Sequence, residues 1–160
     1  MYAPLAIANT IVARHPGRAS MGLCKLVYLV QGWSLALGEP IVGALPEVWR
    51  HGPVHRDVYE AYHGFGHDPV PSPQPPKGGI HAPVVPAVDA NALSIIDQVV
   101  EFHRRQDDLA LSEMAHAPGS PWKIVAARHG FRVPVGTVVD EALIERHFGA
   151  ILNALPARAA

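Results

Sequence analysis

The sequence lacks the features that mark secreted and membrane-spanning proteins. It has a single cysteine, Cys24, so it can form no intrachain disulfide and no multi-cysteine zinc site. No apolar run reaches the roughly 18 residues that a membrane span requires. No basic stretch precedes the first apolar segment, as it would in a signal peptide. We therefore expect a cytoplasmic protein that has no membrane partner.

Charge is sparse as well. Charged residues make up 17% of the chain, and the formal net charge is −1. A general nucleic-acid binder presents a basic surface to the phosphates, so this composition disfavours nucleic acid as a partner. Apolar residues make up 49% of the 160 residues, which suits one globular unit. We expect a single domain over residues 1–160.

Motifs for catalysis and metal binding are also missing. The chain contains no H-E-x-x-H, no G-x-S-x-G and no glycine-rich phosphate loop. His51 and His55 are four residues apart, but Gly52 and Pro53 between them prevent both from lying on one regular helix. We predict no enzyme, no cofactor and no metal. Ten histidines nevertheless leave a histidine-based or metal-dependent enzyme as an alternative.

Apolar residues at helical spacing predict a mainly α fold, a helical bundle around one central helix. The strongest pattern covers residues 20–37, where Leu23, Leu26, Val30 and Trp33 form one apolar stripe and other apolar residues continue round the helix. A helix that is apolar on most sides is normally enclosed by others. Around it, the patterns predict further helices over residues 2–14, 54–65, 89–106, 107–117, 120–130 and 140–155.

Capping residues predict where these helices begin. Ser20, Asp89, Ser120 and Asp140 are suitable N-caps, since their side chains can accept a hydrogen bond from the first turn. Pro121 suits the first helical position after Ser120. By the same reasoning, Gly52 caps the helix over 54–65 and Pro53 opens it. In the last helix, the predicted core face comprises Leu143, Ile144, His147, Phe148, Ile151 and Leu155.

Two segments predict non-helical structure. Residues 40–51 are broken by proline and glycine and alternate locally, which favours a short strand near Val48–His51, with or without a partner in a β-hairpin. Residues 68–88 contain seven prolines and two glycines, which excludes a helix or a central strand. We interpret 68–88 as a proline-rich loop within one domain. The tail over 156–160 is predicted to fray.

Three segments, taken in order, resemble one known family. Residues 25–37, 47–62 and 111–125 read KLVYLVQGWSLAL, EVWRHGPVHRDVYEAY and LSEMAHAPGSPWKIV. They are similar to the motifs K-L-L-Y-F-A-Q-G-W-x-L-A-L, E-A-W-x-Y-G-P-V-x-x-x-L-Y-x-x-F and L-x-x-x-T-H-x-x-x-P-W of the Panacea, or SocA-like, antitoxin domain. Because the order and approximate spacing also agree, the set is far more specific than any one motif.

The chain departs from these motifs at a few positions. His51 stands where the family usually has tyrosine, and Ala115 where it usually has threonine. Gly22 and Cys24 replace polar residues that are common at the start of the first motif. We expect these differences to alter partner choice, and they weaken an exact transfer of the family's binding residues to this chain.

The resemblance implies an antitoxin that neutralises a cognate toxin by direct protein–protein binding. The SocA-type branch of the family further implies an adaptor that delivers the toxin to the ClpXP protease, which would make ClpX a second partner. A DNA-binding regulator remains the alternative, given basic clusters at Arg50 and Arg56, at Arg104 and at Arg128. The predicted partner-binding residues lie within or directly after the second motif and within the third: Trp49, His51, Arg56, Tyr59, Tyr62, His63, His116 and Trp122.

Overall fold

The computed structural model describes residues 1–156. Within them, the chain forms seven α-helices, a short 3₁₀ turn and a two-stranded antiparallel sheet, which confirms the predicted mainly α fold with a β-hairpin. The predicted frayed tail lies outside the described residues from position 157 onward. The helices and strands are α1 Pro4–Arg14, α2 Ser20–Ala36, β1 Glu47–Trp49, β2 Gly52–Val54, α3 Arg56–Tyr62, 3₁₀ His63–Phe65, α4 Ala90–Phe102, α5 Asp108–Ala115, α6 Pro121–Arg128 and α7 Glu141–Ala154.

Helix α2 is the centre of the fold, as its apolar pattern predicts. All of its residues except Met21 and Ala36 are buried. It contacts α1, α4, α5 and α7, and also β2 and α3. Its N-cap is Ala19 rather than the predicted Ser20, which is the first helical residue and makes no capping hydrogen bond.

Gly32 allows the closest of these contacts. A Cβ atom at this position would overlap the ring of Phe148 on α7. The same ring meets Tyr28 edge-on, with centroids 5.5 Å apart. Helices α2 and α7 can therefore approach each other only because residue 32 has no side chain.

The prediction that Gly52 and Pro53 start a helix was wrong. Both belong to β2, which pairs with β1 in the register Glu47↔Val54, Val48↔Pro53 and Trp49↔Gly52. Helix α3 begins three residues after Pro53, at Arg56, with His55 at the N-cap position. A glycine before a proline suits a helix start, but here Gly52 has φ +117°, which continues the tight turn of the hairpin.

The proline-rich loop over 68–88 crosses α1 without forming a helix or strand. The Asn9 side-chain amide donates to the carbonyl oxygens of Gln74 and Pro83, at 2.9 and 2.8 Å. The Thr10 hydroxyl accepts from the Val85 amide at 2.9 Å. Two polar side chains on α1 thus satisfy backbone groups that a proline-rich segment cannot pair within itself.

The C-terminal helices mostly begin where their caps predict. Asp89 and Ser120 accept hydrogen bonds from the amides of Ala92 and Lys123. Asp140 occupies the N-cap position of α7 but makes no capping bond; its carboxylate pairs with Arg128 at 3.0 Å instead. The buried face of α7 is narrower than predicted, because only Ile144 and Phe148 are buried.

Candidate partner-binding surface

The β1–β2 hairpin is fixed from below by a buried lysine. The Lys25 ammonium donates to the carbonyl oxygens of His51 at 3.1 Å and Pro53 at 3.3 Å. A Cβ atom on Gly52 would lie 2.6 Å from the Lys25 nitrogen, so a side chain at residue 52 would displace the ammonium from beneath the hairpin. The hairpin therefore presents Trp49, Arg50 and His51 on a support that depends on both Lys25 and Gly52.

Four side chains form a cluster beside the hairpin, which we call the aromatic patch: the half-buried Trp49 and the exposed Arg56, Tyr59 and His63. The ring of Tyr59 meets Trp49 edge-on and stacks on His63, with centroids 4.8 Å apart in both pairs. The Arg56 guanidinium lies 5.2 Å from the centroid of the Trp49 ring. Tyr59 is 38% exposed, so a large amphipathic side chain faces solvent at the centre of the patch.

Glu47 holds the patch in place. Its carboxylate accepts from the Trp49 indole at 2.8 Å and from two nitrogens of Arg56 at 2.9 and 2.6 Å. Hydrogen bonding to Arg56 is the main reason that the pKa of Glu47 lies below its ordinary value. Both rotamer-rich residues, Trp49 and Arg56, are therefore ordered before any partner arrives, which lowers the entropy cost of binding.

Trp122 and His116 support the patch from behind. The Trp122 indole donates to the carbonyl oxygen of Trp49 at 2.8 Å. His116 meets Trp122 edge-on, with centroids 5.6 Å apart. Because Trp122 is only 8% exposed, its contact with the hairpin is structural, whereas His51 is exposed at the hairpin turn.

The remaining predicted site residue, Tyr62, lies in the core. It is fully buried, and its hydroxyl donates to the Asn9 side-chain oxygen. Burial raises the pKa of Tyr62 to about 12. On the short helix α3, Tyr59 therefore faces solvent and Tyr62 faces the core, although both are predicted as partner-binding residues.

Buried polar residues beneath the patch were missed from the sequence. His55 is 2% exposed, and its Nε2 lies 2.9 Å from the Gln31 side-chain oxygen. The Gln31 amide donates to the Ala44 carbonyl oxygen at 2.8 Å. Burial lowers the pKa of His55 to about 4, so the ring is neutral at pH 7. The signal for Gln31 was available, since a glutamine within an otherwise apolar helix needs a buried partner.

Phe131 is a second exposed aromatic residue near the hairpin. It is 58% exposed and has φ +61°, a left-handed conformation that is uncommon for bulky residues. With Trp49 and Trp122 it lines an open groove of about 640 Å³. The Lys123 ammonium lies 5.5 Å from the centroid of its ring. Exposed aromatic area thus continues beyond the patch on the other side of Trp49.

The histidines do not assemble into a metal centre in the described part of the chain. Across residues 1–156, no three His, Cys, Asp or Glu side chains come close enough to share an ion. No helix within this range has both the length and the apolar character to cross a bilayer.

The fold and this surface define a mainly helical domain that carries an exposed aromatic patch on a hairpin corner. A sequence profile described as "Antitoxin SocA-like, Panacea domain" matches residues 23–123. The chain therefore belongs to the SocA-like Panacea antitoxin family, which confirms the resemblance predicted from three motifs. It is also 28% identical over 134 residues to "Antitoxin SocA" of Caulobacter vibrioides (strain NA1000 / CB15N), covering 81% of this chain and 71% of that protein. No solved structure matches the chain significantly.

Proposed function

We propose that this protein is the cytoplasmic antitoxin of a toxin–antitoxin system and neutralises its cognate toxin by binding it directly. Family membership supports the antitoxin role and implies a toxin partner. We further propose that residues 1–160 act as one domain without catalytic activity of their own. Helix α2, which contacts elements on both sides of the proline-rich loop, supports the single domain.

The aromatic patch is the observation that carries the binding proposal. It combines tryptophan, tyrosine and arginine, the three residue types that most often dominate binding energy at protein interfaces. Its members are ordered by Glu47 and by the hairpin, and Tyr59 is exposed. We assign toxin contact to Trp49, His51, Arg56, Tyr59 and His63. His116 and Trp122 act by supporting the hairpin, and Tyr62 acts within the core.

We further propose that the antitoxin delivers the toxin to ClpXP, and the resemblance to the SocA-type branch supports this proposal. In that mode the antitoxin would contact the toxin and ClpX at the same time. Degradation of purified toxin by purified ClpXP, measured with and without the antitoxin, separates delivery from simple blocking. A toxin half-life that shortens only with antitoxin supports delivery, and an unchanged half-life leaves simple blocking.

The basic clusters give no support to DNA binding as the main activity. Arg56 pairs with Glu47 at 2.6 Å, Arg104 with Glu101 at 2.8 Å, and Arg128 with Asp140 at 3.0 Å. An acid beside each of these three arginines reduces the local positive potential that phosphates require. The net charge of −1 points the same way.

The test of direct neutralisation is co-expression with the product of the neighbouring open reading frame. We expect growth to be restored by the wild-type chain and less so by Tyr59→Ala. Loss of a central interface tyrosine should cost about 2 kcal/mol, or roughly thirtyfold in Kd by calorimetry. Ile80→Ala is the matched control, because Ile80 is 84% exposed on the proline-rich loop. Equal affinity of the two variants would remove the patch from the interface.

A further inference from the structure

A cavity of about 390 Å³ opens beside the aromatic patch, between the start of α2, the hairpin and the end of α3. Its apolar walls come from Met21, Val54, Trp49 and Tyr59. Its polar wall residues are mainly basic or titratable to a cation: Lys25, Arg50, His51, His63 and His67. None of the described residues that line it is Asp or Glu.

Lys25 is the unusual member of this cavity. It is 3% exposed, and within residues 1–156 no carboxylate oxygen lies within 4.0 Å of its nitrogen. Its ammonium has three N–H donors, and two carbonyl oxygens accept from it. A buried ammonium without a carboxylate is costly unless a partner compensates it.

Lys25 nevertheless keeps its charge at neutral pH. Burial lowers the pKa of Lys25 to about 8, which still leaves the ammonium mainly protonated at pH 7. The carbonyl oxygens that hold it belong to the hairpin, and His51 is itself a wall of the cavity. A cation is therefore retained at the edge of an apolar cavity whose lining offers no anion.

We propose that this cavity receives a side-chain carboxylate of the partner polypeptide, an Asp or Glu that lies next to an apolar or aromatic residue. The proposal rests on the proposed function, because the polypeptide is the toxin. The carboxylate pairs with Lys25 and Arg50, and the neighbouring apolar side chain packs on Met21, Trp49 and Tyr59. Charge complementarity selects the acid, and the apolar walls favour an anion attached to a hydrocarbon group over a small inorganic ion.

A pair of small probes tests the cavity without any toxin. 3-Phenylpropionate carries an apolar ring and a carboxylate, and 3-phenylpropionamide is its neutral counterpart. In ¹H–¹⁵N NMR titrations, we expect the carboxylate to shift the Trp49 indole resonance and to bind at least about tenfold more tightly than the amide. Equal affinity of the two probes for the wild-type chain would overturn the carboxylate assignment, whatever happens to any variant.

Variants then locate the charge that makes the difference. Lys25→Gln keeps an N–H donor for the hairpin and removes the charge, so we expect the two probes to bind it equally. Lys77→Gln, on the exposed proline-rich loop, is the control and should keep the preference. If the preference persists in Lys25→Gln, Lys25 is not the partner of the carboxylate.

The polypeptide source is tested with the neighbouring gene product, by changing each of its Asp and Glu residues to Asn or Gln. We expect that one of these changes in the gene product weakens its binding to the wild-type chain at least about tenfold. The same change should weaken its binding to the Lys25→Gln variant less than about twofold. Absence of any such coupled acid overturns the toxin carboxylate. If the product does not bind the wild-type chain while the probes do, that product is not the toxin: the direct-binding proposal fails for it, and the cavity remains a carboxylate site.

Discussion

Helix α2 contacts both α7 and the β1–β2 hairpin, and the two contacts use different chemistry. The contact with α7 is apolar and close, with Gly32 against the Phe148 ring. The contact with the hairpin is polar, with the Lys25 ammonium donating to the backbone carbonyl oxygens of His51 and Pro53. The first contact stabilises the fold by burying apolar surface. The second includes a buried charge, and the desolvation of that charge opposes folding. One helix therefore provides both the stability of the fold and the rigid base of the binding surface.

The largest expected effect comes from disturbing the apolar contact between α2 and α7. Gly32→Ala places a methyl group into the Phe148 ring, and overpacking of this kind costs about 3 kcal/mol of unfolding free energy. Urea unfolding measures it. Gly149→Ala is the matched control on α7, where a Cβ atom meets nothing within 4 Å, so helix propensity should stabilise it by about 0.5–1 kcal/mol. Equal stability of the two variants would show that α2 and α7 are not in close contact.

A somewhat smaller effect is expected at the hairpin. Gly52→Ala imposes φ +117° on a residue with a side chain and brings its Cβ atom against the Lys25 nitrogen. Strain of this type costs about 1–3 kcal/mol, and we expect roughly 2 kcal/mol in urea unfolding. Gly64→Ala, with open space around its Cβ atom, should change stability by less than about 0.5 kcal/mol. A neutral Gly52→Ala variant would contradict the described hairpin turn.

An effect no larger than that of Gly52→Ala is expected from acid sensitivity beneath the hairpin. The pKa of His55 falls from 6.5 to about 4 on burial, so between these values the unfolded chain binds a proton that the folded chain does not. Stability therefore falls as pH drops from 6.5 toward 4, by about 2 kcal/mol between pH 7 and 4.5. Unfolding at both pH values should show a smaller loss for His55→Gln than for the wild type.

His51→Gln is the control for this measurement, because His51 is exposed at the hairpin turn. It should keep the wild-type loss. His55→Gln should retain a smaller loss. Part of it comes from His103 and His147, since burial lowers the pKa of both of these groups, and part from carboxyl groups such as Glu47, whose pKa also lies below its ordinary value. An unchanged pH dependence in His55→Gln would mean that His55 is not the source.

The sequence predicted the apolar contact between α2 and α7 better than the polar contact between α2 and the hairpin. Apolar spacing identified α2 as central and placed Ile144 and Phe148 on the buried face of α7, because burial of apolar residues follows local periodicity. The caps at Asp89 and Ser120 were also predictable, since capping depends on residues close in sequence.

The polar contact between α2 and the hairpin depends on residues that are distant in sequence. Gly52 and Pro53 satisfy the local rules for a helix start, but pairing with β1 and the bond from Lys25 to the Pro53 carbonyl oxygen favour a strand. Nothing in the spacing of His55 reveals its partner Gln31, which lies 24 residues earlier. The same limit applies to the candidate site: the pattern gave Trp49, Tyr59 and His63, but it could not separate the buried Tyr62 from them.

The hydrogen bonds between α1 and the proline-rich loop have a consequence for the engineering of this protein. Asn9 and Thr10 bind the loop near its middle and toward its end, while Gly78 and Gly79 form an exposed turn between the held parts. Each side of that turn is anchored on α1 independently. Fluorophores or affinity tags can therefore be introduced at the exposed Gly78–Gly79 turn.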